Sequence, residues 1–255
     1  MSPLLPIDAA LLAVAALAVF VIAFMKGAFG GGFAIVGIPL LSLATDPITA
    51  GVILAPLLLF MDICALANFR PATWSWPDLA VLVPGSAIGV GIGFLTIQML
   101  DKRLVAIGIA LITLAFAGHW YLGAGAAAPR PRSRLKGLVA GAGSGFTTMV
   151  AHAGGPPLAI YLLPLGLPKL VYAGTTSMFF LTGNVFKAGP WLAIGQATAI
   201  PWAVIGCAAP MVPLGVWAGW RFHQSLDQAR MLRWLYALLV AVGFKLLWDG
   251  VRGFL

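Results

Sequence analysis

Three ionisable side chains, Lys26, Asp62 and His152, stand inside apolar stretches of this sequence. An ionisable residue at the depth of a bilayer is a candidate for function, because placing it in a spanning helix costs about 2.5–3.5 kcal/mol on insertion scales. Lys26 and His152 can donate hydrogen bonds to an anion, and Asp62 and His152 can carry a proton. These residue types predict an anion-binding site, with Asp62 and His152 as candidates for proton coupling.

Each of the three residues also has a structural interpretation. The Lys26 side chain could extend toward the membrane surface and leave its ammonium group in water. His152 could be a hydrogen-bonded histidine with no role in binding. Asp62 could pair with Lys26 or with a backbone donor instead of relaying protons. The sequence leaves both kinds of interpretation open.

A glycine-rich stretch follows Lys26 and another follows His152. The first contains Gly30, Gly31 and Gly32, and the second contains Gly154 and Gly155. Each glycine costs a helix about 1 kcal/mol relative to alanine, so both stretches are predicted to interrupt a helix. Non-helical backbone is tolerated at bilayer depth only inside protein or beside a wet cavity. The half-helices that follow would direct their N-terminal N–H groups at the interruptions, where these groups attract anions. The alternative is that the glycines only permit close helix packing.

Neutral polar side chains follow the second interruption on one predicted helix: Thr175, Thr176, Ser177 and Asn184. Ser177 and Asn184 are seven residues apart and therefore share a helix face. These groups could line the anion site or could hold neighbouring helices together.

The elements that must position these residues are membrane helices. The chain has 255 residues, of which 61% are hydrophobic and 9% are charged, whereas soluble domains average about 25% charged residues. The net charge of +8 lies mainly in short loops, which favours membrane topology and lipid headgroups over nucleic acid. No motif of a catalytic, metal or cofactor site is present, so we expect no enzyme, metal or cofactor.

The chain divides into two transmembrane repeats, residues 1–123 and 135–255, joined by a basic Pro/Arg linker at 124–134. A shift of the first half by about 123 residues places Gly31 on Gly154 and Gly32 on Gly155 without gaps, which indicates a weak internal repeat. The predicted fold is all-α, with each repeat formed by a glycine-broken helix hairpin and three transmembrane helices.

The membrane topology depends on whether each glycine-broken segment returns to the membrane face from which it entered or crosses to the other face. If it returns, the halves are inverted and one face carries most of the basic residues: Arg70, Arg130, Arg132, Arg134, Lys136, Lys169, Arg221, Arg230 and Arg233. The other face then carries only Lys102, Arg103, Lys187 and Arg252. If each segment crosses, the two faces carry nearly equal numbers. The positive-inside rule favours the first arrangement, with a cytoplasmic linker and external termini.

The two interruptions and their surroundings resemble the TauE/SafE family of sulfite exporters and probable membrane transporters. The resemblance lies in the run from Gly30 to Leu41 (GGGFAIVGIPLL), in its counterpart from Gly154 to Leu165 (GGPPLAIYLLPL), and in Gly174 to Ser177 with Asn184 downstream. It implies transport of sulfite, of an organosulfonate such as sulfoacetate, or of a related small anion.

The sequence as a whole therefore predicts a secondary transporter of a small anion in a bacterial-type inner membrane, working by alternating access between the repeats. An anion channel and a membrane-embedded binding or assembly partner are the alternatives. A homodimer is left open. The predicted substrate-binding residues are Lys26, Gly30, Gly31, Gly32, His152, Gly154, Gly155, Thr175, Thr176, Ser177 and Asn184.

Overall fold

The computed structural model describes residues 9–31, 40–41, 44–45, 47–96, 99, 101–122, 129–151, 153–195 and 201–252. Gly32, the predicted half-run after it up to residue 39, and His152 lie outside the described residues. Within the described ranges the chain is helical and has no strand. Six helical segments of this described part are long and apolar enough to cross a membrane, and one of them, Trp202–Ser225, contains two successive helices. The prediction of an all-α, multi-pass membrane protein is confirmed.

Ten α-helices and two short 3-10 turns make up the described chain. The helices are α1 Ala9–Phe29, α2 Pro47–Leu66, α3 Trp76–Thr96, α4 Lys102–Tyr121, α5 Arg134–Ala151, α6 Gly155–Leu162, α7 Lys169–Gly195, α8 Trp202–Ala208, α9 Met211–Ser225 and α10 Gln228–Arg252. The 3-10 turns are Pro71–Thr73 and Leu163–Leu165.

The apolar runs of the sequence predict membrane spans from Val171 to Ala188 and from Ile200 to Phe222, and the structure differs from both. The span predicted from Ile200 to Phe222 consists of two helices, α8 and α9, which meet at a turn containing Pro210. The span predicted to end at Ala188 continues as α7 to Gly195, with Pro190 inside the helix. Proline usually ends or kinks a helix, and here the helix continues past it.

Glycines allow the closest helix contacts in the molecule. A Cβ atom at Gly89 in α3 would lie 2.0 Å from the carbonyl oxygen of Ala142 in α5. A Cβ atom at Gly219 in α9 would lie 2.1 Å from the carbonyl oxygen of Phe24 in α1. Small residues let helix backbones approach each other where no water separates them, and van der Waals packing then holds the pair.

The helix pairs match each other when the two halves of the chain are exchanged. The most extensive contacts join α3 to α5, α1 to α9, α4 to α10 and α2 to α7. Suppose that α1 corresponds to α5, α2 to α7, α3 to α9 and α4 to α10. Exchange of the halves then turns the α3–α5 pair into the α9–α1 pair and leaves the α4–α10 and α2–α7 pairs unchanged. The pairing supports an internal repeat, while the inverted relation of the two halves stays a prediction.

The second interrupted segment doubles back on itself. Pro157 in α6 lies beside Gly143 in α5, and Tyr161 lies beside Gly137. The backbone N–H of Arg130, just before α5, then donates to the carbonyl oxygen of Pro164, just after α6, at 2.8 Å. The two ends of the segment therefore meet, as a hairpin that enters and leaves at one face would require. The corresponding part of the first half lies outside the described residues.

Candidate functional site

A buried polar cluster joins the two halves of the chain. Lys26, in the last turn of α1, is 2% exposed, and Asp62 in α2 is 1% exposed. The Lys26 ammonium donates to Oδ1 of Asp62, and the Asn184 side-chain amide of α7 donates to Oδ2. The Lys26–Asp62 pair that the sequence offered as an alternative is therefore present, and Lys26 does not extend to a surface.

A second buried cation, Lys187, lies one helical turn beyond Asn184 in α7. From the sequence, Lys187 is counted among the basic residues of the external face, near the end of a predicted span from Val171 to Ala188. The structure instead buries it within α7, which continues to Gly195, and Lys187 is 6% exposed. Its Nζ atom donates to Oγ1 of Thr148 in α5 at 3.1 Å. The signal that sequence reasoning missed is a lysine at helical spacing from an intramembrane asparagine.

The charges in this cluster do not balance. Two carboxylates in the described part of the chain are buried, Asp62 and Asp78. Asp78 binds other residues, described below, and both oxygens of Asp62 already accept hydrogen bonds from Lys26 and Asn184. Two buried ammonium groups therefore face one buried carboxylate, and the cluster holds one positive charge in excess.

An unpartnered hydroxyl lies against α7, one helical turn before Lys187. Ser86 in α3 is 1% exposed, and its Oγ atom has no hydrogen-bond partner among the described residues. It lies 3.6 Å from the position that a Cβ atom at Gly183 would take. Gly183 and Lys187 are four residues apart, so they share one face of α7. A buried hydroxyl without a partner is costly unless a ligand or water completes its hydrogen bonds.

The first interruption begins where α1 ends at Phe29. Gly30 has a φ of +81° and Gly31 a φ of +105°, in the left-handed region that favours glycine. The Gly30 amide still donates to the Lys26 carbonyl at 2.9 Å, and its carbonyl accepts from Ser177 Oγ at 3.2 Å. The predicted break is therefore present at the end of α1, held against α7 by Ser177.

The second interruption separates α5, which ends at Ala151, from α6, which begins at Gly155. Two hydroxyl groups of α5 donate to carbonyl oxygens of the interruption. Ser144 Oγ donates to the Gly154 carbonyl at 2.6 Å, and Thr147 Oγ1 donates to the Ala153 carbonyl at 3.0 Å. The two residues after Gly155 are prolines, which have no N–H group. The start of α6 therefore offers fewer donors to an anion than the glycine pattern alone predicts.

The predicted threonine cluster divides into different roles. Thr175 Oγ1 accepts from the backbone N–H of Ser75 at 2.8 Å, and Thr176 Oγ1 donates to the Tyr172 carbonyl at 2.8 Å. Both contacts support the alternative in which these hydroxyls hold helices and loops together. The third hydroxyl, that of Ser177, is the one that contacts a helix break, through its hydrogen bond to the Gly30 carbonyl.

A second buried network, around Asp78, connects α3, α6 and the linker. Asp78 is 1% exposed and accepts from Tyr161 at 2.9 Å, from Ser75 Oγ at 2.5 Å and from Arg132 Nε at 3.2 Å. The tryptophans and prolines from Asn68 to Asp78 predict an interfacial loop, but the structure places Asp78, buried, in the first turn of α3. Nothing in its sequence context separates it from an exposed carboxylate.

Comparison with known proteins places these features in a family. The family model described as "Sulfite exporter TauE/SafE" matches residues 15–246, a range that includes both helix breaks and the whole charged cluster. No curated protein and no solved structure matches the chain.

The Asp78 network predicts a difference between two substitutions. Asp78→Ala should lower the apparent melting temperature in detergent, because the buried hydroxyls of Tyr161 and Ser75 lose their acceptor at about 1–3 kcal/mol each. Arg132→Gln is the control, and it should cost at most about 1 kcal/mol because the Arg132 side chain is 55% exposed. Equal shifts in the two variants would contradict a structural role of the buried hydrogen bonds.

Proposed function

This chain belongs to the TauE/SafE sulfite exporter family, and we propose that it carries a small sulfur-containing anion across the membrane by alternating access between its halves. The family makes it a membrane transporter. Sulfite and organosulfonates such as sulfoacetate are the proposed substrates. A bacterial-type inner membrane, with the basic linker in the cytoplasm, is the proposed location.

The observation that carries the proposal is the excess positive charge beside the two helix breaks. Lys26 is held by Asp62, so Lys187 is the ammonium group left to bind an anion. Thr148 accepts from Lys187 and keeps one O–H group that can donate to the same ligand. A bound monoanion would neutralise the cluster, which offsets the cost of keeping a second ammonium group at bilayer depth.

The contacts around the cluster support alternating access as the mechanism. Asn184 of the second half binds Asp62 of the first, and Ser177 of the second half binds Gly30 of the first. Lys187 and Thr148 both belong to the second half. Separation of α7 from α1 and α2 would therefore break these two contacts and leave the proposed anion-binding pair, which joins α7 to α5, intact.

The membrane potential favours export of an anion. Moving one negative charge out of a negative-inside cell releases about 2.3 kcal/mol per 100 mV, so export can proceed without a coupling ion. Uptake would require protons or sodium. Both oxygens of Asp62 are occupied, which favours its structural role over proton relay. His152 stays a predicted proton carrier outside the described residues.

The direct test is flux in liposomes. Lys187→Met should reduce uptake or release of sulfite and sulfoacetate by at least about tenfold, equivalent to about 1.4 kcal/mol, because the binding cation is lost. Lys245→Met is the matched control, since Lys245 lies in a membrane helix but pairs with Asp249 and is partly exposed. Unchanged flux in Lys187→Met would overturn the site.

The same liposomes separate transport from its alternatives. A transporter should show sulfite flux that saturates, with no steady current in a planar bilayer. Sulfite-dependent conductance would identify an anion channel and contradict alternating access. Binding without flux or current would identify a membrane-embedded binding partner.

Charge rescue gives a second test, on binding alone. Lys26→Met frees Asp62 to neutralise Lys187, so sulfite binding measured by thermal stabilisation should weaken at least about tenfold. The double variant Lys26→Met/Asp62→Asn restores the excess positive charge and should recover binding to within about threefold of the wild-type protein. These ratios correspond to about 1.4 kcal/mol per tenfold change. If the double variant binds as weakly as Lys26→Met, then Lys26 contacts the anion itself and the charge-balance explanation is wrong.

A further inference from the structure

A groove separate from the charged cluster lies between α4, α5 and α6. Its volume is about 620 Å³, within the range of about 300–1,000 Å³ that is typical of ligand sites. Its walls are mainly apolar and include Ile109 and Ile112 of α4, Val139 of α5 and Ile160 of α6. The groove is therefore suited to a hydrocarbon ligand along most of its length.

The polar groups along the walls are already satisfied. Thr113 Oγ1 donates to the Ile109 carbonyl at 2.6 Å, Thr147 Oγ1 donates to the Ala153 carbonyl at 3.0 Å, and the Tyr161 hydroxyl donates to Asp78 at 2.9 Å. A small inorganic anion would find no unused wall hydroxyl among these three. The walls thus exclude a second sulfite site of the kind proposed at Lys187.

One end of the groove is basic. Arg130 and Lys136 both line it at the end where the linker meets α5. Neither side chain forms an ion pair with a carboxylate within the described ranges. The Arg130 backbone is fixed by its hydrogen bond to Pro164, so this residue is held at the rim of the groove.

The groove is open on the side that faces the hydrocarbon of the bilayer. Ile112 and Val139 are each 62% exposed, and Leu135 near the basic rim is 71% exposed. In a membrane helix such exposed apolar side chains contact acyl chains. A ligand could therefore enter sideways from the bilayer without crossing the protein.

The geometry points to an anionic phospholipid bound in this groove, with its phosphate at Arg130 and Lys136 and one acyl chain along the apolar walls of α4, α5 and α6. Basic pockets between membrane helices on the cytoplasmic side are suited to anionic headgroups. The cationic rim selects the charge of the headgroup, and the apolar walls select a lipid over a free phosphate. The groove also contacts Pro156 and Pro157, so a bound lipid would brace the hairpin formed by α5 and α6.

The test uses purified full-length protein in a neutral detergent. Phosphatidylglycerol should raise the apparent melting temperature and persist on the protein in native mass spectrometry, while phosphatidylcholine at the same concentration should do neither. Inorganic phosphate and glycerol phosphate distinguish a headgroup effect from lipid binding, and neither should reproduce the stabilisation. Equal binding of the two lipids, or equal stabilisation by inorganic phosphate, would overturn the proposal.

Two variants test the two parts of the groove. Arg130→Gln/Lys136→Gln should weaken phosphatidylglycerol binding at least about tenfold, whereas Arg230→Gln/Arg233→Gln removes the same number of charges elsewhere and should leave it unchanged. Val139→Trp fills the apolar part from an exposed position and should also weaken binding, with the headgroup contacts kept. Wild-type lipid affinity in both groove variants would refute the site, as would equal losses in the two charge variants.

Discussion

The central feature of the structure is an uncompensated positive charge in the buried cluster between the two halves. Two ammonium groups, those of Lys26 and Lys187, lie near one carboxylate, that of Asp62. Asp62 is saturated by Lys26 and Asn184, which leaves Lys187 with a neutral hydroxyl as its hydrogen-bond partner. A fold that needed only stability would pair each buried charge or replace it with an apolar side chain. The retained excess charge is what makes anion transport the function that fits this arrangement.

The helix breaks and the glycine contacts are the means by which the charges come together. The left-handed residues Gly30 and Gly31 end α1 one turn after Lys26, so the lysine lies in the last turn of the helix and beside α7. The hydroxyls of Ser144 and Thr147 satisfy the carbonyls of the second break, which keeps this non-helical backbone stable among apolar helices. Close packing of α3 on α5 and of α1 on α9 then fixes the positions of both breaks.

Much of the fold could be predicted from the sequence. Long apolar runs indicate membrane helices, glycine runs indicate helix ends, and a charge inside an apolar run indicates a buried polar site because it is costly in lipid. Lys26 and Asp62 were recognised because each is surrounded by apolar residues. Lys187 was missed because Pro190 suggested a helix end, whereas α7 passes through it and buries the lysine. Ser86 and Asp78 could not be recognised, because their burial depends on contacts with α7, α6 and the linker, which are distant in sequence. The two prolines after Gly155 also change what the second break can offer, since they remove N–H donors.

A structure determined with sulfite bound would test the central claim most directly. We predict anion density within hydrogen-bond distance of Lys187 Nζ and Thr148 Oγ1, with the Lys26–Asp62 pair intact. Density at a site remote from Lys187, or a Lys187 ammonium paired with Asp62 while sulfite binds elsewhere, would contradict the assignment.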